Sequence, residues 1–272
     1  MVEIQEKRGT FAGVDTFYHE AGQGEPILFI HGSGPGVSAL ANWRLILPYF
    51  AENYRVIAPD LAGFGSTEKM EKGSYGIDIW TDQLSAMIEE KGLERVSIVG
   101  NSLGGALALH LTHRKPHLVH KIVLMGTMGV PFELTEGLDK VWGYTPSYEN
   151  MAELVNIFSY GDTFANDSDL IDMRYQGTLH QENQDAFASM FPAPRQENID
   201  QLTLSKEKIQ EIEHPSLILH GREDQVIPAE NSRKAFDILP NADIHLFGKC
   251  GHWIQIEKSE SFCRQVEMFL NQ

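Results

Sequence analysis

Cysteine and basic side chains are scarce in this chain of 272 residues. Its two cysteines, Cys250 and Cys263, are too few for a disulfide framework, and they form no zinc ligand set. Only 22 Lys and Arg residues face 38 Asp and Glu residues, so the formal net charge is −16. This balance argues against nucleic acid and against an anionic membrane surface as partners. We expect a protein of the reducing cytoplasm that binds neither.

Long apolar runs are also missing. No stretch reaches the roughly 18 apolar residues of a membrane span, and the polar residues 1–8 lack the apolar segment of a secretory signal. Short continuous apolar runs occur instead, at residues 26–30, 55–58, 96–99, 122–125, 217–219 and 244–247. Such runs, separated by helical patterns, predict an α/β fold with a mostly parallel, doubly wound sheet. Residues 8–21 predict a hairpin with its turn at residues 13–15.

The strand pattern is interrupted in the second half of the chain. Residues 129–206 contain almost no β-type run, and their spacing predicts helices at 149–158, 168–175 and 184–190. A helical insertion between two halves of one sheet usually covers the carboxyl edge of the strands, where ligands bind. We therefore predict a core of residues 1–128 and 207–272 and a helical cap of residues 129–206.

The clearest local motif is Gly-Asn-Ser-Leu-Gly at residues 100–104, between a predicted strand and a predicted helix. It fits G-x-S-x-G, the nucleophile elbow, in which a serine lies on a tight turn from strand to helix. The amino terminus of the following helix favours developing negative charge. The motif predicts Ser102 as a nucleophile; the alternative is a glycine-rich turn with a capping serine.

A serine nucleophile needs a base to take its proton, and the base needs an orienting acid. Behind an elbow of this type the acid and then the histidine follow in the chain. Asp224 follows the predicted strand at 217–219, and His252 lies in a glycine-flanked loop after the strand at 244–247. Glu223 is the competing acid. We predict Ser102, Asp224 and His252 as a catalytic triad.

Acyl transfer by a serine also needs donors for an oxyanion. We predict the backbone N–H of Leu103 and that of Ser33, which lies in the glycine-rich loop of residues 31–36. Taken alone, this loop could hold a phosphate, but it lacks the Lys-Ser/Thr of a P-loop and the G-x-G-x-x-G spacing. The histidines between residues 110 and 120 show no carboxylate partner. We predict no cofactor and no metal site.

Five segments together resemble the meta-cleavage product hydrolases, a family of the α/β-hydrolase superfamily. They are residues 31–36, 100–105, 191–196, 221–224 and 248–253. The resemblance spans essentially the whole chain, and the segment 191–196 is most similar to 2-hydroxymuconate semialdehyde hydrolases. It implies the α/β-hydrolase fold, a homo-oligomer (dimer or higher) and a cofactor-free enzyme of aromatic catabolism. The implied reaction splits the C5–C6 bond of 2-hydroxy-6-oxohexa-2,4-dienoates, giving 2-hydroxypenta-2,4-dienoate and a carboxylic acid.

The resemblance also implies a cation for the carboxylate of this anionic substrate. Arg174 falls at the cap position of the family's substrate-binding arginine, and a planar guanidinium suits such an acid. One alternative is a surface ion pair of Arg174 with Asp169 or Asp172. Another is that Arg195 is the cation instead.

Four further substrate contacts are implied by the same resemblance. Asn42 and Asn101 match the family's polar contacts with the dienoate, Trp253 packs beside it, and Gly32 belongs to the oxyanion loop. Asn42 could equally cap a helix starting at Trp43, and Trp253 could be a core aromatic residue.

At the level of function, the alternatives are a carboxylesterase of the same fold and a non-catalytic hydrolase-fold binding protein.

Overall fold

One eight-stranded sheet organises the chain, with the strand order β1-β2-β4-β3-β5-β6-β7-β8. The computed structural model describes residues 2–71, 74–161, 164 and 167–272. The strands are β1 (Gln5–Phe11), β2 (Val14–Ala21), β3 (Pro26–Ile30), β4 (Arg55–Pro59), β5 (Val96–Asn101), β6 (Val119–Met125), β7 (Ser216–Gly221) and β8 (Ala242–Phe247). Strands β3 to β8 pair in parallel, and β2 runs antiparallel to both of its neighbours. The predicted α/β fold with a mostly parallel sheet is confirmed.

The continuous apolar runs are explained by burial on both faces of this sheet. Along β3, Leu28 and Ile30 belong to one hydrophobic cluster, whereas Ile27 and Phe29 belong to a second cluster on the opposite face. Both faces of β3 are therefore covered by apolar side chains, and neither face requires polar residues.

Helices cover the two faces and fill the interval between β6 and β7. In chain order they are α1 (Ala39–Trp43), α2 (Leu47–Phe50), α3 (Ile77–Glu90), α4 (Leu103–Arg114), α5 (Glu136–Trp142), α6 (Tyr148–Phe158), α7 (Ser168–Gln176), α8 (Gln181–Met190), α9 (Gln196–Leu202), α10 (Lys206–Gln210), α11 (Ala229–Ile238), α12 (Ile254–Glu257) and α13 (Ser259–Leu270).

The described residues between β6 and β7 form six helices, α5 to α10, and no strand. Three of them, α6, α7 and α8, correspond to the helices predicted there. The sequence did not predict α5, α9 and α10, because helices of seven, seven and five residues are too short to show a helical period. The boundaries of the cap at residues 129 and 206 stay a prediction.

The predicted turn at residues 13–15 is wrong by one position. Strand β1 ends at Phe11 and β2 begins at Val14, so the turn consists of Ala12 and Gly13. Both have positive φ, 50° and 82°, as in a two-residue type I′ hairpin turn. Ala-Gly is a poorer signal for this turn than Asn-Gly, which is why the pattern placed it one residue too late.

Within the part of the chain that the structure describes, none of the helices is both long and apolar enough to cross a bilayer. The same residues contain no group of three or more His, Cys, Asp or Glu side chains able to hold a metal ion. Cys250 and Cys263 are both buried and are not joined by a disulfide.

Candidate active site

Ser102 lies on a strained turn between β5 and α4. Its φ is +56°, in the left-handed region that non-glycine residues rarely adopt. The turn is also very tight: a Cβ on Gly100 would lie 2.3 Å from the Gly104 carbonyl oxygen, and one on Gly104 would lie 2.3 Å from the Ile30 carbonyl oxygen. The glycines of the motif are therefore required by close backbone contact. This is the geometry of a nucleophile elbow.

Asp224 and His252 meet at the carboxyl edge of the sheet, after β7 and β8. His252 Nδ1 donates a hydrogen bond to Asp224 Oδ2 over 2.7 Å. The other carboxylate oxygen accepts the N–H groups of Val226 and Ile227, at 2.8 and 3.0 Å. Burial alone would raise the pKa of the Asp224 carboxyl, but the charge of His252 and the contacts with His220 and His252 hold that pKa well below its usual range. Asp224 is thus an ionised acceptor that fixes the orientation of His252.

A small cavity of about 20 Å³ brings most of the predicted site residues together. Eight of the ten line it, namely Gly32, Ser33, Asn42, Asn101, Ser102, Arg174, His252 and Trp253. Of the other two, Asp224 lies behind His252 and Leu103 directly follows Ser102. Among the described residues, the Ser102 hydroxyl has no hydrogen bond to His252 Nε2; such contacts often tighten only when substrate is bound.

Two buried backbone N–H groups at this cavity have no acceptor. Across the described ranges, neither the N–H of Ser33 nor that of Leu103 hydrogen-bonds to the protein, although both residues are buried. A buried N–H without a partner is costly unless something else accepts from it. Both groups are therefore available to an oxygen atom of a bound molecule.

Arg174, on α7, is the cation of this cavity. It is 5% exposed, its guanidinium carbon lies 5.2 Å from the ring centroid of Trp253, and its Nε has no hydrogen-bond partner within the described residues. Burial lowers the pKa of Arg174 to about 10, and the charge of Arg44 adds to this effect. Arg174 therefore remains protonated at neutral pH.

Neither alternative for the cation agrees with the structure. Asp169 and Asp172 are exposed and form no ion pair with the buried Arg174. Arg195 pairs with Asp139, the Nη1–Oδ1 distance being 2.9 Å, and is not among the residues that line the cavity.

Two amide side chains add polar groups to the cavity. Asn101 Nδ2 donates to Asn42 Oδ1 over 3.1 Å, which leaves Asn42 Nδ2 and Asn101 Oδ1 buried without a partner in the described structure. The alternative in which Asn42 caps a helix is wrong, because Asn42 lies inside α1 and Ser38 is the N-cap. Trp253 stacks on Phe158 with ring centroids 4.7 Å apart and also lines the cavity. Trp253 is therefore both a packed aromatic residue and a residue of the site.

The comparisons with known proteins agree on one family. Residues 25–259 match the family model described as alpha/beta hydrolase fold. The 2-hydroxy-6-oxo-2,4-heptadienoate hydrolase of Pseudomonas putida is 47% identical, covering 95% of this chain and 93% of the relative. The 2-hydroxymuconate semialdehyde hydrolase of Pseudomonas sp. strain CF600 is 45% identical, covering 95% and 91%. A solved meta-cleavage product hydrolase from Pseudomonas fluorescens IP01 superposes with a TM-score of 0.95 at 46% identity, covering 97% of both chains.

This chain belongs to the meta-cleavage product hydrolases of the α/β-hydrolase family. The family resemblance drawn from the sequence is thereby confirmed.

In this meta-cleavage product hydrolase, the contact of the acid with His220 was not predicted from the sequence. His220 precedes a glycine at a predicted strand end, and this position predicts a hydrogen-bonded structural histidine; the structure confirms this prediction. Its Nε2 lies 3.0 Å from the Ile227 carbonyl oxygen and 3.1 Å from Asp224 Oδ2, and its Nδ1 lies 2.6 Å from Ser232 Oγ. Because two acceptors face Nε2, that nitrogen carries the proton. Its position four residues before the predicted acid was the only available signal.

Glu223, the competing acid, has a different set of contacts. Its carboxylate accepts the N–H of Cys250 at 3.1 Å and pairs with Arg222. It has no hydrogen bond or ion pair with His252 in the described structure, whereas Asp224 does.

A buried histidine, the first residue of the loop at residues 31–36, predicts acid sensitivity of the fold. His31 Nδ1 lies 2.7 Å from the Gly32 carbonyl oxygen, and Nε2 accepts the N–H of Leu61 at 3.0 Å. Burial lowers the pKa of His31 from 6.5 to about 4. As the pH falls, His31 is therefore protonated in the unfolded chain before it is protonated in the folded protein. The stability that is fully present above pH 6.5 is lost as the pH falls towards 4.

The expected loss from His31 is on the order of 3 kcal/mol between those two pH values. Urea unfolding from pH 7.5 to 4 measures it. A His31→Gln variant, which has no titrating group there, should show a correspondingly shallower decline. An equally steep decline in this variant would show that His31 does not contribute.

Proposed function

We propose that this chain hydrolyses the C5–C6 bond of 2-hydroxy-6-oxohexa-2,4-dienoates, either 2-hydroxymuconate semialdehyde or its 6-alkyl analogues. The products are 2-hydroxypenta-2,4-dienoate and a carboxylic acid. The observation that carries the proposal is the buried guanidinium of Arg174, which lies in the same cavity as Ser102 and has no ion pair within the described residues. A cation without a counter-ion in such a site favours a substrate that brings its own negative charge.

The proposed mechanism assigns a role to each group at the cavity. Ser102 Oγ attacks the C6 carbonyl while His252 takes its proton, and Asp224 holds the imidazole in orientation. The N–H groups of Ser33 and Leu103 stabilise the oxyanion on O6. Collapse of the oxyanion then breaks the C5–C6 bond, and His252 gives its proton to the leaving hydroxypentadienoate. Water finally hydrolyses the acyl-enzyme, with His252 again as base.

The leaving group of this reaction is a carbanion, which makes the cleavage step demanding. Ketonising the dienol first solves the problem, because the electron pair of the broken C5–C6 bond then passes into a conjugated keto acid. The other end of the substrate must be held for this purpose. We assign its carboxylate to Arg174 and its dienoate to Asn42, Asn101 and Trp253, with Gly32 allowing close approach.

The test is a spectroscopic assay of the purified protein. Ring-fission product, which is yellow, should bleach in stoichiometric yield with hydroxypentadienoate as product. Brisk hydrolysis of p-nitrophenyl esters without bleaching would establish a carboxylesterase instead. Tight binding of the dienoate without turnover would establish a binding protein.

We further propose that the protein is a homo-oligomer of two or more chains. Family membership supports this assembly. Sedimentation analysis at micromolar concentration should give at least twice the chain mass of 30.6 kDa. A single species with the mass of one chain would contradict the proposed assembly.

A further inference from the structure

A hydrogen bond connects the insertion between β6 and β7 to the predicted oxyanion loop. Trp142, the last residue of α5, donates from its indole Nε1 to Ser33 Oγ over 3.0 Å. The two residues are 109 positions apart in the chain, and both are buried, with exposures of 2% and 4%. From the sequence, Trp142 is expected to pack in the core of the cap, the alternative being that it lines the pocket for the C6 substituent.

Ser33 has no other anchor of this kind. Its backbone N–H and C=O take part in no hydrogen bond within the described ranges, so the contact with Trp142 is the one hydrogen bond it makes there. It lies outside any strand, between Gly32 and Gly34, and glycine permits more backbone conformations than other residues. The direction of the Ser33 N–H therefore depends on what holds its side chain.

Trp142 is held much more firmly than Ser33. Its ring stacks on Phe191 with centroids 4.3 Å apart and planes 2° apart. The helix that carries it also contributes Leu138 and Val141 to the lining of the cavity. The indole N–H is thus fixed by a helix and an aromatic stack, and the glycine-flanked serine is the partner that adjusts to it.

We propose that Trp142 is a positioning residue for the oxyanion hole. It holds the Ser33 hydroxyl so that the Ser33 N–H points to the oxygen that becomes negatively charged. The oxyanion hole is then completed by a residue of the insertion between β6 and β7, and not by the sheet alone. This inference rests on the proposed function, in which the Ser33 N–H binds the oxyanion.

A double-mutant cycle tests the inference. Trp142→Phe keeps a ring for the stack but removes the donor, and Ser33→Ala removes the acceptor but keeps the backbone N–H. Each single variant should lower kcat by about 10- to 100-fold with little change in KM, since a fully removed oxyanion donor costs about 10²- to 10³-fold. The double variant should lose no more than the larger single effect.

A matched control separates positioning from packing. Trp80 is also buried, its Nε1 donates to the Ala62 carbonyl oxygen at 3.0 Å, and its ring lies 6.3 Å from that of Phe191. Trp80→Phe therefore removes a similar hydrogen bond near the same aromatic residue. It should lower the melting temperature as Trp142→Phe does, but leave kcat per titrated active site unchanged.

The outcomes that overturn the inference are equally defined. Additive losses in the double variant, or equal kcat losses in the two Trp variants, would make Trp142 a packing residue only. The cycle is run with the dienoate and with p-nitrophenyl acetate, because both reactions place negative charge on the same oxygen site. If no dienoate is cleaved but the ester cycle shows coupling, the proposed substrate fails while the role of Trp142 stands.

Discussion

Replacing Ser102 with alanine is expected to lower kcat for the dienoate by roughly 10⁴-fold or more. The Oγ atom of Ser102 forms the covalent bond to the substrate, and no neighbouring group can replace it. Cys250, two residues before His252, is buried, and burial followed by the charge of Glu257 raises the pKa of its thiol far above neutrality. It therefore supplies no thiolate. The residual rate should come from the oxyanion donors and substrate binding alone.

Single-turnover and steady-state assays of the Ser102→Ala protein measure this loss. Alanine also carries a Cβ, so the positive φ at residue 102 costs much the same in both proteins and the variant should fold. It should still bind the dienoate, which is visible as a shift in the absorbance of the substrate. Ser85→Ala is the matched control, since Ser85 is a buried serine on α3, outside the cavity. Turnover within tenfold of wild type for Ser102→Ala would remove Ser102 from the nucleophile role.

The residues of the predicted triad were accessible from sequence because each is tied to a strand end. Ser102 follows β5, Asp224 follows β7 and His252 follows β8. Parallel strands bring their carboxyl ends to one edge of the sheet, so locating the strands also locates these side chains. The parallel strands themselves were visible because burial on both faces produces short, continuous apolar runs.

Contacts that depend on how the insertion packs were not accessible in the same way. The bond from Trp142 to Ser33 joins an unpredicted seven-residue helix to a loop 109 positions away. No local pattern encodes such a pair, because an indole N–H at a helix end predicts a buried ring but not its acceptor. The position of Asn42 shows the same limit over a short distance: the helix starts at Ala39, and Ser38 provides the cap.

The second large effect is expected for Arg174, and it should depend on the substrate. Arg174→Gln should lower kcat/KM for the dienoate by roughly 10²- to 10⁴-fold, because removing one partner of a buried charge pair costs about 3–5 kcal/mol. Hydrolysis of p-nitrophenyl acetate, which has no carboxylate to bind, should change by less than about threefold. The ratio of the two activities is the measurement, since a general loss of folded protein lowers both equally.

Arg195→Gln is the control for this variant. It removes the same charge from an arginine that pairs with Asp139 outside the cavity, so both activities should stay close to wild type. Equal losses of activity on both substrates in Arg174→Gln would show that Arg174 has a structural role. A loss for the dienoate alone in Arg195→Gln would assign the substrate carboxylate to Arg195 instead.

The net charge of −16 does not oppose an anionic substrate, because exposed charges are screened beyond about 8 Å at physiological salt. Arg174 is only 5% exposed, so its charge is screened far less and can outweigh the acidic surface in selecting the substrate.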